Sequence, residues 1–330
     1  MKGSIYIFSN GELKRKENTL YFEMEEGRKY IPVENTSELF IFGEVTINKR
    51  LLEFLSKSEI IMHFFNHFGY YVGSFYPREH LNSGYMILKQ AEHYLDHVKR
   101  VQLAKKFVEG AVENIKKVLS YYLNRGKDLG AIIQKVDNLA QSILMCENTE
   151  QLMAIEGNIR EQYYSAFDRI LDNEDFIFES RTKRPPKNRL NALISFANSI
   201  LYTVCLGEIY HTHLDPRIGF LHSTNFRRFS LNLDVAEIFK PFIADRVIFT
   251  LINKNIIKPQ HFEQKTDGIF LNEKGREFVV REMEERLKST FMHKGLGRHV
   301  SYRQLIRLEL YKIERHLMGG EEYKPFITAW

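Results

Sequence analysis

A histidine and two carboxylates stand close to paired arginines in residues 219–245, GFLHSTNFRRFSLNLDVAEIFKPFIAD. His222 follows a turn-like Asp215-Pro216-Arg217-Ile218-Gly219. Asp234 and Glu237 open an apolar run that reads as a helix, and their spacing of three places both on one face. Imidazole and carboxylate together suit a divalent metal such as Mn²⁺ or Mg²⁺, with Mg²⁺ by itself preferring oxygen. A plainer use exists for each residue. Asp234 can cap the helix with Glu237 as its N3 partner, and His222 can be a hydrogen-bonded core residue. The H…D-x-x-E pattern alone does not choose between these.

A second group lies in LMAIEGNIREQYYSAFDRI, residues 152–170. Leu152, Ile155, Ile159, Tyr163 and Phe167 recur at helical spacing and predict a buried stripe. Glu156 borders the stripe, with Arg160 and Tyr164 one and two turns on. A carboxylate, a guanidinium and a phenol together suit a phosphate beside a metal. Gly157 costs a helix interior roughly 1 kcal/mol against alanine. It therefore marks close approach of a ligand or backbone, or a tight helix–helix contact.

The third group is the loop SRTKRPPKNRL, which holds Arg181, Lys183, Arg184, Lys187 and Arg189 around Pro185-Pro186. A charge run is usually a solvated loop. A stiff one also loses less entropy on gripping a phosphate backbone, and Arg227 and Arg228 form a second basic point. Asn188 or Asn191 can cap the helix that follows.

Other chemistries lack their signatures. The chain has no G-x-x-x-x-G-K-[ST] loop, no G-x-S-x-G elbow and no H-E-x-x-H. Its two cysteines, Cys146 and Cys205, show no zinc spacing and sit in apolar helical patterns, which points to free thiols in a reducing, cytoplasmic setting. The N-terminus MKGSIYIFSNGEL has no apolar signal region, and no window approaches the ~18 continuous apolar residues of a spanning helix, so no membrane is expected.

Two domains should position these residues, since 330 residues exceed what one core usually serves. Residues 1–78 read as a small β-rich domain. SIYIFSNGELKRK, TLYFEME, RKYIPVE, ELFIFG, EIIMHFFN and GYYVGSFY are strand-like, and INKRLLEFLSKS is a short amphipathic helix. Proline and Asn82-Ser83-Gly84 mark a linker. Residues 79–330 read as a larger all-α domain, where Val98, Val101, Leu103, Ala104, Phe107 and Val108 begin an apolar stripe. The fold class is thus a multi-domain α and β protein. The net charge is +5, and residues 1–80 hold ten basic against eleven acidic side chains. The basic excess therefore lies in the second domain, where a polyanion would bind.

Four stretches in order carry a resemblance: AIEGNIREQYY, RPPKNRLNALISFANSIL, DPRIGFLHS and RFSLNLDVAEIFKPFIADRV. With the β-rich front and the ending RQLIRLELYKIERHLMGGEEYKPF, they resemble the CRISPR-associated integrase family, the larger of the two adaptation proteins. The variant is most similar to those of type I systems. The resemblance implies a DNA endonuclease and integrase that inserts short DNA duplexes (spacers) into repeat DNA of a CRISPR array by phosphoryl transfer from a 3′-hydroxyl. It implies a divalent metal, Mg²⁺ or Mn²⁺, held by Glu156, His222 and Glu237, with Asp234 as a supporting acid among the catalytic residues. Arg160, Tyr164, Arg181, Lys183, Arg184, Lys187, Arg227 and Arg228 are the expected DNA contacts. It also implies a homodimer formed through the front domain and a complex with the small second adaptation protein. Two other classes compete: a non-catalytic nucleic-acid-binding protein, separated by metal-dependent strand breakage, and a helical protein scaffold, separated by salt-dependent DNA affinity.

Overall fold

The chain is described from a computed structural model, in which residues 3–78, 81, 83–223, 229–265, 268–293 and 295–328 are described. It divides into two compact units, Met1–His80 and Leu81–Trp330.

Among its described residues the first unit has eight strands and one α-helix: β1 (Gly3–Ile7), β2 (Gly11–Lys16), β3 (Thr19–Met24), β4 (Gly27–Ile31), β5 (Thr36–Ile41), β6 (Val45–Thr46), α1 (Lys49–Lys57), β7 (Ile61–Phe65) and β8 (Tyr71–Phe75). They form two four-stranded sheets, ordered β1-β5-β7-β8 and β4-β3-β2-β6. In the first sheet β1, β5 and β7 run parallel and β8 antiparallel. The period-two pattern explains the core: Leu13, Leu20, Phe22, Leu39, Ile41 and Met62 point inward and meet Leu51, Phe54 and Leu55 of α1. Asn48 caps α1 by accepting from the Leu51 amide at 3.0 Å.

The second unit is mostly helical. Its elements are α2 (Gly84–Leu95), α3 (His97–Leu123), α4 (Gly130–Gln141), α5 (Thr149–Ser165), α6 (Phe167–Leu171), α7 (Arg189–Tyr210), α8 (Leu231–Phe239), α9 (Ala244–Asn253), β9 (Phe262–Lys265), β10 (Gly268–Leu271), α10 (Glu273–Lys288), β11 (Thr290–His293), β12 (Arg298–Ser301) and α11 (Tyr302–Leu317). The purely helical expectation needs two additions, the antiparallel pairs β9–β10 and β11–β12. The second pair flanks the turn at residues 295–297, which contains Gly295 and Gly297. Val98, counted into the stripe of α3 by its spacing, is exposed at 62%.

The central helix α7 packs against α8, α9, α10 and α11, and is buried around most of its circumference. It is also long and apolar enough to cross a membrane, a property that counting continuous apolar residues overlooks because Asn198 and Ser199 interrupt the run. Most of it is buried inside the unit, as expected of a core helix.

Beside α7, α3 holds α8 in place through one buried side chain. Asn114 donates through Nδ2 to the carbonyls of Ile238 (3.1 Å) and Phe326 (2.9 Å), and its Oδ1 accepts from the Thr328 amide at 2.8 Å. Glu309 of α11 accepts from Tyr323 Oη at 2.6 Å and from the Phe326 amide at 2.9 Å, so the C-terminal segment is bound across α3 and α11.

Candidate active site

Helix α5 starts at an N-cap, Asn148, which accepts from the Gln151 amide at 2.9 Å. From that start the 3.6-residue period buries Leu152, Ile159 and Tyr163, and leaves Glu156 half-buried at the border. Arg160, one turn on, is almost wholly buried. Its Nε donates to Glu156 Oε1 at 3.1 Å and its Nη2 to Glu237 Oε2 at 2.5 Å. One guanidinium thus joins the α5 carboxylate to the α8 carboxylate. Tyr164 is buried as well, and burial pushes its phenol up to about 12. Neither Arg160 nor Tyr164 lies on the surface.

Helix α8 follows Ser230, so Asp234 and Glu237 both lie inside the helix and the capping-box alternative fails. Asp234, fully buried, instead anchors the preceding turn. Its Oδ2 accepts from the amides of Phe220 (2.5 Å) and Leu221 (3.0 Å), and its Oδ1 from the His222 amide (2.9 Å) and His222 Nδ1 (2.8 Å). A carboxylate only accepts here, so Nδ1 carries a proton, which leaves Nε2 as the nitrogen available to a ligand in the neutral ring. This turn requires Gly219. A Cβ there would stand 2.7 Å from the Ser230 carbonyl carbon and 2.8 Å from Asp234 Oδ2. Gln90 of α2 supports the turn from behind, donating to the carbonyls of Asp215 and Ile218 at 3.1 Å each.

Glu237 is nearly buried between two cations, Arg160 and Lys240, its neighbour one turn on, which also lies over the Tyr202 ring at 4.9 Å. Against the cost of burial, Lys240 and Arg160 hold its carboxyl well below the usual range. Glu156 shifts the other way, raised first by burial and then by the nearby charge of Glu237. The two carboxylates therefore shift in opposite directions, the cations favouring the charged form of Glu237, and opposed shifts in neighbouring buried groups are a mark of functional sites.

The basic loop between residue 180 and α7 is tied down by its own polar side chains. Asn191 accepts from the Thr182 amide (3.2 Å) and Arg181 Nη1 (2.9 Å) and donates to the Ser180 carbonyl (2.8 Å). Asn188 caps α7, accepting from the Asn191 amide at 2.8 Å. The Pro186 carbonyl accepts from the Ile269 amide of β10 at 2.8 Å, a support that sequence does not reveal. Arg181 spends donors inside the loop and on Ser195 at 3.0 Å, and Arg189 pairs with Asp175 at 3.2 Å. Lys183, Arg184 and Lys187 are exposed. Lys183 belongs electrostatically to the site: burial of its ammonium, then Arg181 and Lys240, lower its pKa, and Glu156 and Glu237 oppose the shift. Arg227 and Arg228 lie outside the described residues.

The donors present fit a hard or borderline divalent ion by type: two carboxylates and an imidazole whose other nitrogen is fixed by a carboxylate. Among the described residues no group of three or more His, Cys, Asp or Glu side chains already converges as an ion cage, because Arg160 and Lys240 engage the carboxylate oxygens. Both oxygens of Glu237 are engaged by these cations, whereas Arg160 engages only Oε1 of Glu156. Lys240 was legible in sequence as the i+3 neighbour of Glu237 but carried no expectation. Asp245, fully buried at the start of α9, was not legible; burial pushes its carboxyl up to about 7.

Gly157 is exposed, and a Cβ added to it would meet nothing within 4 Å, so no helix or backbone explains it. Gly157→Ala should raise unfolding free energy by about 0.5–1 kcal/mol, measured by urea denaturation. If a DNA strand passes that surface, the same variant lowers DNA affinity. Unchanged DNA affinity removes the ligand explanation.

The family model for CRISPR-associated protein Cas1 matches residues 5–285. A relative from Thermodesulfovibrio yellowstonii, named CRISPR-associated endonuclease Cas1 2, is 73% identical over 330 residues and covers 100% of both chains. The solved structure of a Cas1 protein from Thermotoga maritima matches with a TM-score of 0.88 and 49% identity, covering 98% of this chain and 99% of that one. A casposase bound to integration product shares the fold at 19% identity, with a TM-score of 0.88 over 99% of this chain and 94% of that one. With the family model spanning most of the chain and identities this high over nearly all of it, the chain belongs to the Cas1 family of CRISPR-associated proteins.

Proposed function

We propose that this chain is a divalent-metal-dependent DNA endonuclease and integrase that joins the 3′-hydroxyl of a short DNA duplex to a phosphodiester of CRISPR repeat DNA. The observation that carries this reading is the meeting of Glu156 and Glu237, 81 positions apart in sequence, on one buried guanidinium beside Lys183 of the basic loop. The endonuclease name of the 73% identical relative supports it.

Glu156, His222 Nε2 and Glu237 would hold Mg²⁺ or Mn²⁺, which supplies charge neutralisation at the scissile phosphate and orients the attacking oxygen. Asp234 fixes the ring and tautomer of His222 before any substrate arrives. Lys240 and Arg160 keep positive charge beside the reacting phosphate, where water is scarce and the charge acts strongly. Lys183, Arg184 and Lys187 bind the strand through its backbone, which carries little base information and suits a protein that must accept many spacers. Arg227 and Arg228 are further proposed DNA contacts. The attacking oxygen comes from DNA or water, so no serine or cysteine nucleophile is required.

The working assembly is a homodimer formed through the first unit, whose sheets end in β1, β8, β4 and β6 as pairing edges, together with the small second adaptation protein. Two free cysteines, both buried, agree with a reducing cytoplasm.

The test incubates purified protein with a labelled duplex bearing 3′-hydroxyl ends and a supercoiled plasmid carrying repeats, with Mn²⁺, with Mg²⁺ or with EDTA, and with or without the small partner. Label should join the plasmid only with metal. Tight DNA binding without joining or nicking under every condition defeats the reading. Replacing Lys183, Arg184 and Lys187 together by alanine should lower DNA affinity and flatten its salt dependence by roughly one unit of slope for each phosphate no longer neutralised, as should replacing Arg227 and Arg228. An unchanged slope removes the residues concerned from the DNA face.

A further inference from the structure

Arg160 is the cation that engages both Glu156 and Glu237, whereas Lys240 engages Glu237 alone. Its Nε and Nη2 are engaged by those two carboxylates, while its Nη1 is buried without a hydrogen-bond partner. Two more buried polar groups lie nearby. The Tyr163 hydroxyl, three residues on in α5, and the Asp245 carboxylate in the first turn of α9 are buried with a close contact to each other but no well-formed hydrogen bond, and among the described residues no cation pairs with Asp245. The phenol and the Asp245 carboxylate are neighbours, and Asp245 acts on Arg160 through its charge, as Glu237 and Glu156 do.

An orphaned buried carboxylate is costly, and so is an unpaired guanidinium N–H. A buried carboxylate that faces only a phenol, close to an unpaired guanidinium N–H, describes a seat lacking its cation. Arginine keeps its proton in a protein, so once its carboxylates are taken it needs another anion close by. Asp245 is a buried carboxylate in electrostatic reach of Arg160 besides its two present partners.

We propose that Asp245, with Tyr163, is the alternative seat of Arg160: a divalent cation binding at Glu156 and Glu237 is coupled to transfer of the Arg160 guanidinium onto the Asp245 carboxylate. This rests on the metal reading above. Without the cation, Arg160 holds the two carboxylates as an internal counter-ion. With it, the guanidinium pairs with Asp245 and the carboxylate oxygens are released. Asp245 is a positioning residue that acts through Arg160, and by linkage whatever weakens its hold on Arg160 weakens the cation site.

The test titrates Mn²⁺ into metal-free full-length protein by calorimetry, for wild type, Asp245→Asn and Tyr163→Phe. Asp245→Asn should weaken Mn²⁺ binding about 10- to 100-fold, the scale of lost outer-shell support at metal sites. Its metal-free thermal midpoint should not fall, since the orphaned charge is gone. A folded Asp245→Asn protein that binds Mn²⁺ like wild type overturns the proposal. Wild type that binds no Mn²⁺ overturns the metal reading instead, so the two failures are distinguishable. A second measurement does not depend on the variants folding: the ¹⁵Nε signal of Arg160 in wild type should move when diamagnetic Mg²⁺ is added. A signal that stays still while Mg²⁺ binds sinks the coupling.

Discussion

Glu156→Ala and His222→Ala should each lower the rate of strand joining by on the order of 10³-fold or more, about 4 kcal/mol of transition-state stabilisation, while DNA affinity stays within about threefold of wild type. The expectation follows from where the two side chains stand. Glu156 is half-buried at the border of α5, with one hydrogen bond to Arg160, and supports no other element. His222 lies on a turn that is held by the backbone amides of Phe220, Leu221 and His222, so loss of the ring leaves most of that turn anchored. The DNA contacts proposed for Lys183, Arg184 and Lys187 lie on a separately supported loop, which neither substitution touches. The check is joining kinetics under saturating Mn²⁺ beside a direct binding measurement at fixed salt. Parallel loss of binding and joining would show that these residues hold the fold or the DNA, and the assigned roles would fall.

Asp234→Ala should be the most destabilising single change at the site. Its carboxylate satisfies three backbone amides and one imidazole N–H, and none of these finds water when it is removed, because the residue is fully buried. Breaking a buried charged group away from its partners costs about 3–5 kcal/mol. An N-cap role would cost only about 1 kcal/mol. Urea unfolding therefore separates the two roles by magnitude, and a loss near 1 kcal/mol would overturn the anchoring account. Asp234→Asn keeps the shape but places an NH₂ against donors. It should lose less stability than alanine and still weaken Mn²⁺ binding about 10- to 100-fold, because His222 is no longer held in its tautomer.

The two carboxylates of α8 show how far the chain could be read unaided. Their spacing of three placed them on one helix face, and that held. Which of them faces the candidate metal was left to the family resemblance, and the bare pattern equally allowed a capping box. The difference lies in donors brought by the 219–222 turn, which can approach α8 only because Gly219 has no Cβ. The basic loop was legible as a charge run around Pro185-Pro186. That Arg181 is spent within it, and that Lys183 feels the charge of the carboxylates, was not. The hairpins β9–β10 and β11–β12 were missed because strands of four residues carry too little periodicity to stand out from loop.

The sequence by itself determined the order of the two domains, the helical faces bearing Glu156, Arg160, Asp234 and Glu237, and the excess of basic charge behind residue 80. Local propensity and period operate over a few residues, and these features need no more. Only the tertiary structure decided partnership: that Arg160 bridges to Glu237 across 77 positions, that Asp234 is an anchor, and that Asp245 is buried against Tyr163 with no cation among the described residues paired to it. Charge pairing in a buried site depends on which elements exclude water together, and α5, α8 and α9 meet through packing on α3, α6 and α7 that no local spacing encodes.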